Sequence, residues 1–301
     1  MLRRSKLYRL PPTAACLCLL SPARSLASAA ASCSADVSNF TLLERAPVSP
    51  DSALLRFALP PELPQLGWSG VKLVLADPHS PGSYLEKSYS PTSRPDDVGT
   101  FELLVKAYPP RPGGGCGAAL CGLRAGEAAA FKVKPPRQFH GSAQLLGRWD
   151  ALGFVAGGTG VAPFVQIIRT LLADPADRTT LRLLSVNRKE ADILMKAELD
   201  ALQRAHPDRL AITYALTQPP DSWAGVKGRG TVAEARAALP PPDAGGTRQV
   251  LVCGTDGLVE TWAGPLLRLT AGEGQPKKKA QGALGGILKA AGFDETEVFK
   301  Y

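Results

Sequence analysis

The sequence predicts two domains in series: a small antiparallel β-barrel of Greek-key type, then an α/β domain built on a parallel sheet. Three features of the 301 residues carry that prediction. Short apolar runs broken by Pro, Gly and Asp fill the first half, and apolar strands alternate with amphipathic helices in the second. One strand-to-helix junction, "GFVAGGTGVAPFVQIIRTLL" at 153 to 172, is nearly bare of side chains where the chain turns.

Ahead of the first strand stands "MLRRSKLYRLPPTAACLCLLSPARSLASAAASCS", rich in Arg, Ser and Ala. Residues 1–35 hold five bases and no acid, and the first acid is Asp36. This is the look of a mitochondrial transit peptide; a secretory signal with "AACLCLL" as its core is the rival that Pro11, Pro12 and Arg24 disfavour. The leader explains most of the +8 formal charge, since 30 bases against 27 acids remain without it. The body therefore has no nucleic-acid footprint. No run approaches about 18 apolar residues, so no span is read, and membrane association is expected only through the N-terminus. Of six cysteines, Cys16, Cys18 and Cys33 fall in the leader, and Cys116 and Cys121 form a lone C-x4-C. Neither a disulfide scaffold nor a zinc site follows.

Residues 36–145 form the expected barrel domain. "FTLLERAPV", "SALLRFAL", "VKLVLAD", "TFELLVKAY" and "AAFKVK" are strand-like runs separated by turn residues. The Pro-rich stretch from Pro135 to Asp150 is the linker, and residues 146–301 form the second domain. There "ALGFVA" reads as a buried strand and "APFVQIIRTLLA" as a helix with Phe164, Ile167, Ile168, Leu171 and Leu172 on one side. "LRLLSV", a long helix through "EADILMKAELDALQRA", "LAITYAL", a helix around Val232 to Leu239 and "QVLVCG" continue the alternation. Sheets of this kind bind ligands at the carboxyl ends of their strands.

The bare junction lies at such an end. Gly157, Gly158 and Gly160 let backbone approach a ligand, the helix start offers amide donors, and Pro163 fits the first turn. The pattern G-G-T-G-x-x-P is neither G-x-G-x-x-G nor a P-loop, and a tight turn packed under a helix is the plainer reading. "VLVCGTDG" breaks a second strand with Cys253, Gly254 and Gly257. A lone cysteine at a strand end is more often a small core residue, but its place before Gly254 favours a functional one.

Five ordered motifs, "KSYSPTS" (87–93), "FELLVKAY" (101–108), "GGTGVAPF" (157–164), "VLVCGTDG" (250–257) and the terminal "VFKY", resemble those of NADH–cytochrome b5 reductases in the ferredoxin reductase superfamily. "QGALGGILKAAGF" is most similar to the mitochondrial and plant or fungal branch. The resemblance implies an FAD-binding barrel and a nicotinamide-nucleotide domain. Tyr89 would lie against the flavin and Ser90 near its N5 edge. Lys87 replaces the family's pyrophosphate arginine, keeping the charge without the planar fork. Val105, Lys106 and Tyr108 match the strand lining the flavin. Gly114, Gly115, Cys116 and Gly117 fall in the phosphate loop, where glycine replaces a serine and bare amides offer an anion nest. Thr159 matches the threonine that reaches the flavin, and Gly158, Gly160 and Pro163 the turn beneath the nucleotide. Cys253 and Gly254 match the nicotinamide floor, although the usual C-G-P-P is C-G-T-D here. Tyr301 stands as a C-terminal aromatic beside the rings or as a cap on the last strand.

The same resemblance implies hydride transfer from NADH to flavin, with Ser90, Lys106 and Cys253 closest to the chemistry, then single electrons to a haem carrier such as cytochrome b5. Arg188 and Lys189 leave NADPH open, and "PKKKA" at 276–280 is either a solvated loop or a docking patch for an acidic haem protein. A monomer is expected. Reduction of haem during cytochrome c maturation is one rival, and a nucleotide-binding protein that has lost its catalysis is the other.

Overall fold

The computed structural model describes residues 37–77, 80, 82–108, 115–136, 147–269 and 278–301. Residues 1–36, Gly114 and most of the 135–150 stretch lie outside them. The described residues form two six-stranded sheets and one two-stranded sheet.

The first sheet comprises β1 (Val37–Ser49), β2 (Ser52–Ala58), β3 (Ser69–Ala76), β4 (Tyr84–Tyr89), β5 (Thr100–Lys106) and β6 (Ala128–Pro136). Its order is β4-β3-β6-β1-β2-β5, every pairing antiparallel. β6 returns between β3 and β1, the Greek-key move, and a bridge from Pro91 to Leu103 closes the barrel. Inward positions alternate along each strand and meet in a cluster of Phe40, Phe57, Phe101 and Phe131. Their ring centroids lie 5.3–6.0 Å apart, and all the contacts except the stacked Phe57–Phe101 pair are edge-on.

Two elements escaped the sequence reading. β4 carries little apolar alternation, because it is an edge strand with Glu86, Lys87 and Ser88 exposed. Cross-strand charge supports it: Glu86 bridges Lys72 on β3 (2.7 Å) and Lys132 on β6 (2.8 Å), which would otherwise face each other as like charges. The bonds from Lys132 and Lys72 hold the Glu86 carboxyl below its ordinary range. The glycine-rich run is not an extended nest from Cys116 onward. It becomes a short helix, α1 (Cys116–Cys121), in which Gly117 packs so close to β5 that a Cβ there would sit 2.2 Å from the Lys106 carbonyl oxygen.

The second sheet has the order β10-β9-β8-β7-β11-β14, all parallel. Its strands are β7 (Ala151–Gly157), β8 (Thr180–Asn187), β9 (Leu210–Leu216), β10 (Val226–Lys227), β11 (Arg248–Cys253) and β14 (Val298–Lys300). α2 (Ala162–Ala173) and α3 (Lys196–Ala205) cover one face; α4 (Val232–Ala238), α5 (Asp256–Ala263) and α6 (Gly286–Ala291) cover the other. β12 (Leu267–Leu269) and β13 (Lys278–Ala280) pair antiparallel between α5 and α6 in chain order. The long helix expected over "EADILMKAELDALQRA" is interrupted. A 3₁₀ turn spans Glu190–Asp192, and α3 starts only after Met195, whose φ of 61° no helix tolerates. Burial of Ile193, Leu194 and Met195, each under 8% exposed, requires that turn inward.

The domains share apolar contact, with Leu104 of β5 buried among the side chains of α2 and Leu54 and Trp68 packed beside it.

Candidate functional site

In the second sheet the chain runs from β7 outward to β8, β9 and β10, then returns to β11 on the other side. The order reverses between β7 and β11, where open parallel sheets bind ligands. Both glycine-broken strand ends are at that point. They touch: a Cβ on Gly160 would lie 2.2 Å from the Cys253 carbonyl oxygen, so Gly160 is bare for packing. Gly157 is bare against Leu258, since a Cβ there would come within 2.5 Å of a leucine methyl. Gly158 differs, with φ of 53° and nothing within 4 Å of where its Cβ would project. Of the three, Gly158 is the one whose bareness leaves open space.

Two clefts flank this point along the seam between the domains. The first, about 430 Å³, lies over the carboxyl ends of β7, β8 and β9. Gly158, Asn187, Arg188 and Asp192 line it from the α/β domain, and Asp51, Lys106 and Tyr108 from the barrel. Asp51 is at the tip of the β1–β2 hairpin and holds Lys106 Nζ at 2.8 Å while accepting from Ser49 (3.0 Å) and Ser52 (3.1 Å). Burial pushes its carboxyl up, but these three donors more than offset it and the group titrates below the usual range. Asp192 likewise lies 3.6 Å from the Arg188 guanidinium and accepts from the Lys189 amide (3.1 Å).

The second cleft, about 810 Å³, is bounded by Trp68, Lys87, Tyr89 and Ser90 on the barrel and by Cys253 and Tyr301 opposite. Tyr301 is held by its amide, which donates to Val252 O (2.8 Å), and by edge-on packing of its ring on Phe164 at 6.0 Å. Lys87 Nζ stands over both the Tyr89 ring (5.7 Å to its centroid) and the Tyr108 ring (5.3 Å), so it links the two clefts. The Tyr89 hydroxyl is buried with no hydrogen-bond partner among the described residues, and burial raises its pKa strongly. A buried neutral donor without an acceptor costs roughly 1–3 kcal/mol. Such an orphan, beside the Lys87 ammonium, fits a large polar cofactor with ring and phosphate parts.

Not all the anticipated residues converge. Ser90 and Cys253 border the same cleft, whereas Lys106 borders the other. Val105 is 1% exposed and its side chain belongs to the barrel core. Thr159 is half-buried in the 3₁₀ turn Gly158–Val161 and borders neither cleft, and Pro163 is buried in the first turn of α2. Gly115 precedes α1 in extended conformation, and Cys116 is buried beside Tyr89. Gly254 lines the second cleft, and the departure to Thr255 and Asp256 starts α5: the Thr255 hydroxyl accepts from the Leu258 amide. Asp51 and Asp192 were missed, since an acid in a hairpin turn or a helix start gives no signal of its own.

A flavin–nicotinamide oxidoreductase of two domains is the class that this fold and these clefts define. The oxidoreductase FAD-binding domain family matches residues 39–137, and the oxidoreductase NAD-binding domain family matches 154–263. NADH-cytochrome b5 reductase 1 of Laccaria bicolor is 34% identical over 221 residues, covering 73% of this chain and 69% of that one. NADH-cytochrome b5 reductase 2 of Homo sapiens is 34% identical over 244 residues, 75% of this chain and 88% of that one. In fold, the cytochrome b5 reductase domain of Ulva prolifera nitrate reductase superposes with a TM-score of 0.67 at 24% identity, over 88% of this chain and 97% of that one. The chain belongs to the NADH–cytochrome b5 reductase family, and is an FAD-dependent NADH oxidoreductase.

Proposed function

We propose that the protein passes reducing equivalents from NADH to a haem protein of the cytochrome b5 kind, with FAD in the second cleft and the dinucleotide entering through the first. One observation carries the reading: Tyr89 and Ser90 face Cys253 and Gly254 across a single cleft at the switch point of the sheet. FAD, when bound, accepts two electrons as hydride and releases them one at a time, which joins a two-electron donor to a one-electron acceptor. The chain's task is to bind, orient and exclude water. Tyr89 offers a hydroxyl donor and a ring face, Ser90 a second hydroxyl, and Lys87 a positive charge for phosphate. Gly158 leaves room for the dinucleotide, and Cys253 and Gly254 make a floor without bulky side chains. Lys106, with its charge already shared by Asp51, acts on the nucleotide in the first cleft and not on the flavin edge.

Coenzyme choice follows from Asp192. Its carboxylate engages Arg188 and would repel a 2′-phosphate, so NADH is preferred over NADPH. The leader's composition supports mitochondrial import, which a fluorescent fusion of residues 1–35 tests. The basic charge of the "PKKKA" run would suit an acidic acceptor; Pro276, Lys277 and the side chains of Lys278 and Lys279 lie outside what the structure describes.

The decisive experiment is an absorption spectrum followed by anaerobic titration with NADH and stopped-flow mixing with cytochrome b5. Flavin bands near 450 nm should bleach on NADH and recover on the cytochrome. Reduction of haem bound to apocytochrome c, with cytochrome b5 inert, would transfer the assignment to cytochrome c maturation. A colourless protein that ignores added FAD would overturn it altogether.

A further inference from the structure

The seam is crossed by polar contacts that no feature of the sequence announced. Gln166, 4% exposed and one turn into α2, donates from Nε2 to the Ser93 carbonyl at 2.8 Å. One turn further, the Arg169 guanidinium reaches both domains. Nη1 donates to the Thr92 carbonyl (2.8 Å) and to Glu102 of β5 (3.0 Å); Nε and Nη2 donate to the two oxygens of Glu198 on α3 (2.5 and 2.7 Å). The barrel side is itself knotted. Thr92 Oγ1 donates to the same Glu102 oxygen (2.6 Å), and the Glu102 amide donates to Ser93 Oγ (3.1 Å).

The placement of this knot matters more than its strength. The segment it grips, Thr92–Ser93, begins two residues after Ser90 in the wall of the second cleft. The helix it grips, α2, brings Gln166 into the lining of the same cleft from the other domain. We propose that Arg169, with Glu102 as its counterpart, is a positioning residue that sets the spacing of the two walls between which hydride is transferred. This rests on the function proposed above. It is a matter of geometry: misplacing reacting groups by about 1 Å costs on the order of 100-fold in rate. A guanidinium suits the task because its planar fork fixes four donors in direction at once, which a lysine ammonium cannot do.

The network supplies its own control. Glu198 and Arg169 both belong to the α/β domain, so their contact adds stability without spanning the seam, whereas Glu102 and Thr92 lie across it. Arg169→Lys with full flavin content should reduce its flavin at least tenfold more slowly on anaerobic mixing with NADH. NADH affinity should stay within threefold, and the isotope effect with NADH deuterated at the transferring position should grow. Amide exchange across residues 90–102 should quicken in the flavin-free protein as well. Glu198→Gln should lower Tm yet reduce flavin within twofold of the parent. Flavin reduction by Arg169→Lys at the parental rate would overturn the proposal, as would slowing no greater than that of Glu198→Gln. Should Arg169→Lys not retain flavin, Glu102→Gln is read in its place, and an unchanged rate there overturns the proposal equally. A parent protein that NADH cannot reduce is a different outcome, and would remove the function itself.

Discussion

The two clefts share one seam but differ in whether the polar groups that line them already have partners. The first holds two ion pairs in its lining, Asp51 with Lys106 and Arg188 with Asp192, beside Arg229 and apolar side chains. The second is lined by lysines, Lys87 among them, and by rings, and it contains a buried tyrosine hydroxyl without a partner among the described residues. A ligand that departs on every turnover is best served by a wall that is content in its absence. A ligand that stays can be the missing partner of a buried donor, and its residence offsets the desolvation. The contrast fits an exchanging dinucleotide in one cleft and a resident flavin in the other.

The glycines at the junction should give the largest effects, and they should differ. Gly160→Ala forces a methyl to within 2.2 Å of the Cys253 carbonyl and should cost about 3 kcal/mol, read as a lower urea midpoint with loss of flavin. Gly158→Ala meets no atom, so its cost should be only the about 1–2 kcal/mol of a positive φ, and its main signature a raised KM for NADH. Equal stability losses at the two positions would erase the distinction between a packed glycine and an open one.

Next in size is coenzyme choice. Asp192→Ser frees Arg188 and removes a negative charge from the first cleft. The preference in kcat/KM for NADH over NADPH should fall at least tenfold, about 1.4 kcal/mol. An unchanged ratio would place the 2′ position elsewhere. Smaller still, and of opposite sign in two states, is Tyr89→Phe. The flavin-free protein should gain about 1 kcal/mol by losing an unsatisfied hydroxyl, while FAD should bind about fivefold more weakly. A loss of stability in both states would mean that the hydroxyl already has a partner.

The sequence carried much of this arrangement, and its failures have physical causes. Alternation of apolar runs marks any strand with one buried face, so the barrel and the sheet were legible, and so were the two strand ends broken by glycine. β4 was not, because its support comes from Lys72 and Lys132 on strands 14 and 46 residues away from Glu86. The break at Met195 was hidden because Ile193, Leu194 and Met195 look the same in a helix as in a turn that buries them. Which glycine is packed and which is open depends on Cys253, nearly a hundred residues downstream. The Arg169 knot joins residues 67 to 77 apart through polar side chains that local pattern treats as solvent-facing.

The smallest expected effect concerns the first cleft and tests whether its charges do satisfy one another. Asp51 has a folded pKa below its unfolded one, so its carboxylate contributes stability above about pH 4, the ordinary value, and loses it as pH falls through the folded pKa. Across pH 5 to 8 the contribution is therefore constant. The Tm difference between the parent and Asp51→Asn should be flat over that range and should shrink toward zero in more acid solution. Partly exposed and screened, the pair is a weak one, so the difference should also decline with added salt. A Tm gap that widened on acidification would mean that Asp51 is destabilising as a carboxylate. Lys106 would then be held in the cleft by something other than the hairpin tip.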